Sequence, residues 1–366
     1  MRVLGIETSC DETGAAVVTE GGEVLSDVVV SQIALHVPFG GVVPEIAARD
    51  HVRALPEVID AALSQAGIRL DEIDGIAVTS RPGLAGALLV GLQTAKGLAW
   101  ASDKPLVAVD HLVGHLLAVF LRRSKTDPPN KPPPEYPFVA LLASGGHTAI
   151  YLVEGPSLDR IRELGATRDD AAGEAFDKVG KLLGLGYPGG PAIDRLAATG
   201  DAARAAHLVP TPMANKDSLE FSFSGLKSSI ARRIEREGRP EGLALADLCA
   251  AFQASVVGTL VDKTVRAAKR EGMSRVVLGG GVAANRGLRA LMTQACERAG
   301  MSAVIPPCAN CTDNAAMIAY VGALRLARGE RDGLDIAPAT RTSLLRVTRK
   351  GGGKRRLTSP PRPPTA

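Results

Sequence analysis

The sequence predicts an α/β protein of two duplicated lobes, and three observations predict it. A strand, polar loop, strand unit opens the chain, with Arg2–Ile6 and the run "TGAAVV" on either side of the loop. The unit returns in "FVALLASGGHTAIYLV", as strand Phe138–Ala143, loop Ser144-Gly145-Gly146-His147 and strand Thr148–Val153. After each copy, strand-length apolar runs alternate with amphipathic helical patterns.

In chain order, "HVRALPEVIDAALSQAG" has apolar residues at helical spacing and stops at Gly67. "GALLVGLQTAKGLAWAS" is a second helix, and a helix carrying His111 and His115 ends just before "RRSKTDPPNKPPPEYP". That stretch, 122–137, is basic and Pro-rich and reads as an exposed loop between lobes 1–121 and 138–340. In the second lobe, "LADLCAAFQASVVGTLVDKTVRAAKREG" carries one apolar stripe and ends at Gly272. "RVVLGGGVAANRGLRALMTQACERAG" reads as strand, Gly turn, helix. "DNAAMIAYVGALRLARG" closes the folded part, with its helix free to pack back on the first lobe. The tail 341–366 is basic and of low complexity, and disorder is expected there.

The 366 residues suit about two domains. Hydrophobic residues at 45% and charged residues at 22% are ordinary for a globular chain. Aromatics at 3% argue against a nucleic-acid binder built on stacking platforms. Eight Lys/Arg and no acid lie from Arg341 onward, so the formal charge of +4 leaves a body of −4. The basic excess belongs to the tail, where it would hold RNA only non-specifically. Five cysteines, an odd number, exclude a disulfide framework and fit a reducing cytoplasm. Cys308 and Cys311 form a lone CxxC without the second pair of a zinc knuckle. No apolar run reaches about 18 residues, and "MRVLGIETS" starts as a strand with no targeting layout. A cytoplasmic protein with no membrane contact is expected.

Five stretches can carry chemistry. In "HLVGH", His111 and His115 project from one helix face, as two ligands of one metal or as two packing histidines. Leu112 stands where a zinc protease of the HExxH type needs its glutamate, so proteolysis loses its base. Asp110, though adjacent, is expected to face elsewhere. Ser144-Gly145-Gly146-His147-Thr148 lets backbone N–H groups approach a phosphate or oxyanion, unless it is only a tight hairpin. Gly279-Gly280-Gly281-Val282-Ala283-Ala284-Asn285 follows a strand and opens a helix, which favours an anion there; it is not GxGxxG. Asn285 is a base or sugar ligand, or a helix cap. In "DDAAGEAFDKVGKLLGLGYPGGPAID", Asp169 and Asp170 read as helix-start acids, and Glu174, Asp177 and Lys181 share one side. There the plain alternative is a surface Asp177–Lys181 pair, while the turn Tyr187-Pro188-Gly189-Gly190-Pro191 could shape a sugar pocket. In "CTDNAAMIA", Asp313 is a functional acid or a cap.

From Arg2 to about Arg341 the chain resembles the tRNA N6-adenosine threonylcarbamoyltransferase family, once called O-sialoglycoprotein endopeptidase. The resemblance is to its bacterial branch. It rests on nine ordered segments: "GIETSCDET", "GGVVPEIAARDHV", "PGLAGALLVG", "HLVGH", "LLASGGHT", "DDAAGEAFDKVGKLLGLGYPGGP", "FSFSGLK", "GGGVAANR" and "CTDNAAMIA". The resemblance implies the actin-like ATPase/sugar-kinase fold, two ribonuclease H-like lobes around a cleft. It implies one divalent metal, Fe(II) with zinc as the alternative, on His111, His115 and Asp313, a ligand set that suits iron. It implies a substrate site at Leu142, Ala143, Ser144, Gly145, Gly146, Asp177, Gly190, Asp194 and Asn285. Threonylcarbamoyl-adenylate is the implied donor, and the acceptor is the N6 amine of the adenosine just 3′ of the anticodon in tRNAs reading ANN codons. AMP leaves. Asp11 and Glu12 are the candidates to orient or deprotonate that amine. A paralogous dimer partner and a small P-loop ATPase are implied as companions. The Pro-rich loop and the tail depart from the family pattern. An actin-fold kinase would have no use for the metal set, a protease lacks its base, and a non-catalytic scaffold paralogue would be expected to lack the ligands this chain keeps.

Overall fold

A computed structural model describes residues 1–123, 134–213 and 217–348. The first lobe runs β1 (Arg2–Glu7), β2 (Glu12–Thr19), β3 (Val24–Ser31), α1 (Ile33–His36), α2 (Pro44–Ala66), β4 (Gly75–Arg81), α3 (Ala85–Ser102), β5 (Leu106–Asp110) and α4 (His111–Leu117). The second runs β6 (Phe138–Ala143), β7 (Thr148–Val153), β8 (Ile161–Ala166), α5 (Ala172–Leu182), α6 (Gly189–Ala197), α7 (Ala202–Ala205), α8 (Ser224–Glu237), α9 (Gly242–Arg270), β9 (Arg275–Gly279), α10 (Arg286–Arg298) and β10 (Ser302–Val304). α11 (Ala315–Ala327) follows.

The two sheets have one topology. The first is ordered β3-β2-β1-β4-β5 and the second β8-β7-β6-β9-β10. In each, an antiparallel three-strand meander is extended by two parallel strands. The central strands read as unbroken apolar runs because both faces are covered.

Side-chain alternation then divides each strand between two cores. Leu4 and Ile6 of β1 face outward onto α2 and α3, with Val17, Leu55, Val78 and Leu92. Val3, Ala77 and Val107 face inward, and so do Phe138, Ala140 and Leu142 of the second sheet. This inner core is filled by α4 and α11, which lie between the sheets. Val139, Leu141 and Ala143 face the opposite way, onto Phe176, Phe252, Leu288 and the other outer helices. α4 has seven residues, all buried. Alone it is far too short to persist, so the inner core holds it in place. α11 follows the second lobe in sequence but packs on β1, β2 and β4 of the first.

Among the described residues, α9 is the helix long and apolar enough to cross a membrane by length and composition. Two-thirds of its apolar window, 67%, is buried against the second lobe. Its apolarity is that of a core helix.

The tail departs from expectation at its root. Disorder was the expectation from residue 341, yet residues 341–348 are pinned across both lobes. Thr342 Oγ1, Ser343 N–H and Ser343 Oγ all donate to Asp110, at 2.7, 2.7 and 2.8 Å. Val347 and Thr348 N–H donate to Glu163 of β8, and Leu344 is buried. Two buried carboxylates otherwise short of donors explain the ordering. The rest of the tail, like most of the Pro-rich loop, lies outside the described residues. Arg123, at that loop's start, is anchored to Asp27 and Asn310 at 2.5 Å each.

Candidate active site

The end of β5 turns directly into α4, and Asp110 caps the helix by accepting from Leu112 N–H at 3.0 Å. The sequence reading aimed Asp110 away on a helix; it is the cap instead, and it also holds the tail. His111 and His115 then sit one turn apart, with ring centroids separated by 4.6 Å. On the far side, Asn314 caps α11 by accepting from Met317 N–H at 3.0 Å. That leaves Asp313 clear of capping duty. Its Oδ1 lies 2.9 Å from His115 Nε2 and 3.5 Å from His111 Nε2.

Three ligand atoms, one each from His111, His115 and Asp313, lie within 4.8 Å of one another. The donor set suits a cation, and the surrounding charge supports one. Burial opposes a charge on His111, yet Asp313 and Glu7 hold its pKa well above the ordinary value. Burial would likewise raise Asp313, but His111 and His115 hold it well below the carboxylate range. His115 is pushed down, first by burial and then by its neighbour His111. The carboxylates of Asp313 and Glu7 thus favour positive charge at this spot, and a metal ion held by the three ligands would supply it.

Glu7, the last residue of β1, escaped the sequence reading. It is buried and accepts from His111 Nδ1 at 3.0 Å, Thr79 Oγ1 at 2.6 Å and Ser9 N–H at 2.5 Å. Its hydrogen bond puts the His111 proton on Nδ1 and turns Nε2 toward Asp313. His115 Nδ1 has no such partner among the described residues. The available signal was a carboxylate inside the apolar strand "RVLGIE".

Asp11, in the turn after β1, and Glu12, the first residue of β2, lie beside this centre and are largely buried. Burial, then Asp313 and Asp11, push Glu12 up to about 10. Crowded by these carboxylates, Glu12 favours its protonated form as long as no cation sits among them.

A cavity of about 400 Å³ opens in the second lobe. Gly145, Asp177, Gly190, Asp194 and Asn285 all line it, as do Phe176 and Arg286, which the sequence reading missed. Asp177 accepts from Gly189 N–H at 2.8 Å, fixing the Tyr187–Pro191 turn. The plain alternative, an Asp177–Lys181 pair, is not formed among the described residues: on α5 the i,i+4 pair is Glu174–Lys178. Asp169 is not a helix-start acid either. It accepts from Ser222 Oγ, Phe223 N–H and Ser224 Oγ, clamping "FSFSG" to the second sheet. Asn285 is both things it could be. It caps α10 through Leu288 N–H at 2.9 Å, donates to Gln253 at 2.7 Å and still faces the cavity. Asp194 pairs with Arg286 at 2.7 Å.

Four expected residues take other positions. Leu142 and Ala143 are fully buried strand residues, and neither lines the cavity. Gly280 packs on the Ala143 carbonyl so closely that a Cβ would overlap it, at a φ of +84° that only glycine adopts freely. Ser144 spends its N–H on the His147 carbonyl at 2.8 Å, so it has none to offer an oxyanion. Gly146 does not line the cavity, although nothing lies within 4 Å of where its Cβ would be.

Comparison with known proteins gives the family and the fold. The sequence profile of the tRNA N6-adenosine threonylcarbamoyltransferase family matches residues 23–320. A protein of that name from Sorangium cellulosum is 74% identical, covering 97% of this chain and 100% of the relative. One from Anaeromyxobacter dehalogenans is 55% identical, covering 92% and 97%. Among solved structures, T. kodakarensis HypF superposes with a TM-score of 0.58 at 15% identity, covering 89% of this chain and 48% of that one. Component A of the Acidaminococcus fermentans (R)-2-hydroxyglutaryl-CoA dehydratase superposes with a TM-score of 0.50 at 17% identity, covering 89% and 99%. These two likenesses show the fold, that of the actin-like ATPases.

Proposed function

The chain belongs to the tRNA N6-adenosine threonylcarbamoyltransferase family, and we propose how its cleft carries out the transfer. It is an enzyme that modifies tRNA. The proposed donor is threonylcarbamoyl-adenylate, a mixed anhydride that carries its own driving force. Its AMP part would occupy the cavity bounded by Asp177, Gly190, Asp194 and Asn285. The phosphate would lie toward Gly145, the Gly280–Gly281 turn and the α10 N-terminus, where N–H groups and the helix dipole favour an anion.

The N6 lone pair of the adenosine attacks the carbamoyl carbon. The bond from that carbon to the phosphate oxygen breaks, and AMP leaves with its electron pair. Asp11 is the proposed acceptor of the amine proton, with Glu12 orienting it. His111, His115 and Asp313 would hold one divalent metal, Fe(II) or zinc, which supplies Lewis acidity when bound. Glu7 fixes the His111 ring for that task. Leu112 is buried in the inner core, so the protease reading has no candidate base at that position.

The observation that carries this reading is the meeting of two α4 histidines with Asp313, almost two hundred residues later, in the core between the lobes. By family resemblance, the partners are a paralogue of the same fold and a small P-loop ATPase, and the compartment is the cytoplasm. The test is nucleoside mass spectrometry of tRNA incubated with threonine, bicarbonate, ATP, the companion proteins and this chain. Threonylcarbamoyladenosine should depend on the chain, and its failure to form sinks the proposal. Metal analysis is separate: His111→Ala and Asp313→Ala should each lose bound metal, and retention at the wild-type level would mean the ligands are misassigned.

A further inference from the structure

The segment Gln32–Val43, between β3 and α2, contains exposed apolar side chains and a buried polar chain that the proposed chemistry leaves unused. Leu35, Val37 and Phe39 are 44%, 47% and 56% exposed. Phe39 is the one exposed phenylalanine of seven, and five of the others are buried in the cores. Clustered on one turn, the three side chains form an apolar patch, and it is the clustering that marks a contact surface.

Beneath it the hydrogen bonds run in one direction. Val43 N–H donates to His36 Nδ1 at 3.3 Å, and His36 Nε2 donates to Gln32 Oε1 at 3.3 Å. Gln32 Nε2 donates to His51 Nδ1 at 3.2 Å, and His51 Nε2 donates to the Cys10 carbonyl at 3.0 Å. Gln32 N–H also donates to the Asp11 carbonyl at 2.8 Å. The Gln32 root of the segment is thus tied to the Cys10–Asp11 connection, and the Val43 root is tied back to Gln32 through His36.

Its tip reaches the other lobe. A Cβ on Gly40 would come within 2.6 Å of Lys181 Nζ. Lys181 lies one helical turn beyond Asp177, on the same side of α5 as that cavity residue. Just past α5, the Arg239 guanidinium closes on Gly184. Lys181 and Arg239 are exposed, and neither forms an ion pair among the described residues. The tip of the turn therefore meets α5 one helical turn from the donor cavity, its root is tied to the connection that carries Asp11, and two exposed cations, Lys181 and Arg239, lie near the end of α5.

We propose that this turn is an RNA contact, in which Phe39 stacks on an unpaired nucleotide next to the target adenosine and Lys181 and Arg239 hold the adjoining phosphates. The proposal rests on the reading above that the cleft admits a tRNA adenosine. Unpaired bases are recognised by stacking on aromatic rings and by cations along the backbone. One ring is enough for one base, so the scarcity of aromatics is no obstacle.

The experiment uses the full chain with its companion proteins and a fluorescent anticodon stem-loop. Phe39→Ala should weaken stem-loop binding and raise the tRNA KM about tenfold, with kcat and donor KM little changed. Phe39→Trp should restore wild-type values. Lys181→Glu should weaken binding and reduce the slope of log affinity against log salt by about one. Unchanged RNA affinity in Phe39→Ala overturns the proposal, and it does so equally if assembly with a protein companion weakens instead. A wild-type assembly that binds the stem-loop through Phe39 but never modifies it would count against the enzymatic reading and leave this one standing.

Discussion

Glu7→Gln isolates the carboxylate that orients His111. The substitution is nearly isosteric, so the packing of β1 should survive. Glu7 accepts three hydrogen bonds: His111 Nδ1 and Thr79 Oγ1 on Oε2, and Ser9 N–H on Oε1. A glutamine has one oxygen and one NH2 group. If its oxygen keeps His111 and Thr79, its NH2 faces the Ser9 N–H. If it turns over, it confronts His111 and loses the tautomer. Either way a buried donor meets a donor, which costs about 1–3 kcal/mol. Losing an orienting carboxylate beside a metal-binding histidine typically weakens metal affinity 10–100-fold, roughly 1.4–2.7 kcal/mol. A competition titration against a chromophoric chelator measures that affinity, and thermal melting measures the stability loss. Melting that drops while metal affinity stays within about twofold of wild type would refute the reasoning and reduce Glu7 to a packing residue.

Three further outcomes are expected. Gly5→Ala places a Cβ against the Ala315 carbonyl and 2.6 Å from Ala319 N of α11; the overpacking should cost about 1–3 kcal/mol, and because α11 begins beside Asp313, chelator competition should show weaker metal binding as well. Asn285→Ala removes the α10 cap, worth about 1 kcal/mol, and should also lower AMP affinity in calorimetry; a melting change with unaltered AMP binding would leave Asn285 a cap alone. Burial raises Asp169, but its bonds from Ser222, Phe223 and Ser224 hold its carboxyl below the ordinary range. The sign follows: this clamp stabilises fully above the unfolded pKa of about 4 and is lost as pH falls through the lower folded value. The melting temperature should fall across that acid window in the wild type and less steeply in Asp169→Asn; parallel curves would contradict it.

Much of the fold was legible because strand alternation and helical spacing are local properties. The duplicated hairpin announced two sheets, and both have the same strand order. The family segments named the cavity residues that project into open space, among them Asp177, Gly190, Asp194 and Asn285. What local pattern could not decide was which polar group answers which. Asp110 was expected to face elsewhere on its helix, and Asp313 could be a functional acid or a helix-start cap. Asp169 looked like one more. Only the packed structure shows that Asp110 and Asn314 cap, that Asp169 clamps a distant loop, and that Asp313 faces the two imidazoles. The first residues of the tail looked disordered by composition, because nothing near them in sequence revealed the buried carboxylates waiting for their N–H groups.

The sequence by itself determined the class of fold, the paired lobes and the family, and it singled out His111, His115 and Asp313 as candidate metal ligands. The tertiary structure alone decided their surroundings: Glu7 behind His111, Glu12 crowded by Asp11 and Asp313, Ser144 committed to its own hairpin, and the tip of the Gln32–Val43 turn against Lys181. The division has one physical cause. Periodicity is written along the chain, whereas a charge or a hydrogen bond takes its value from whatever the fold brings against it, here residues as far apart as Glu7, His111 and Asp313.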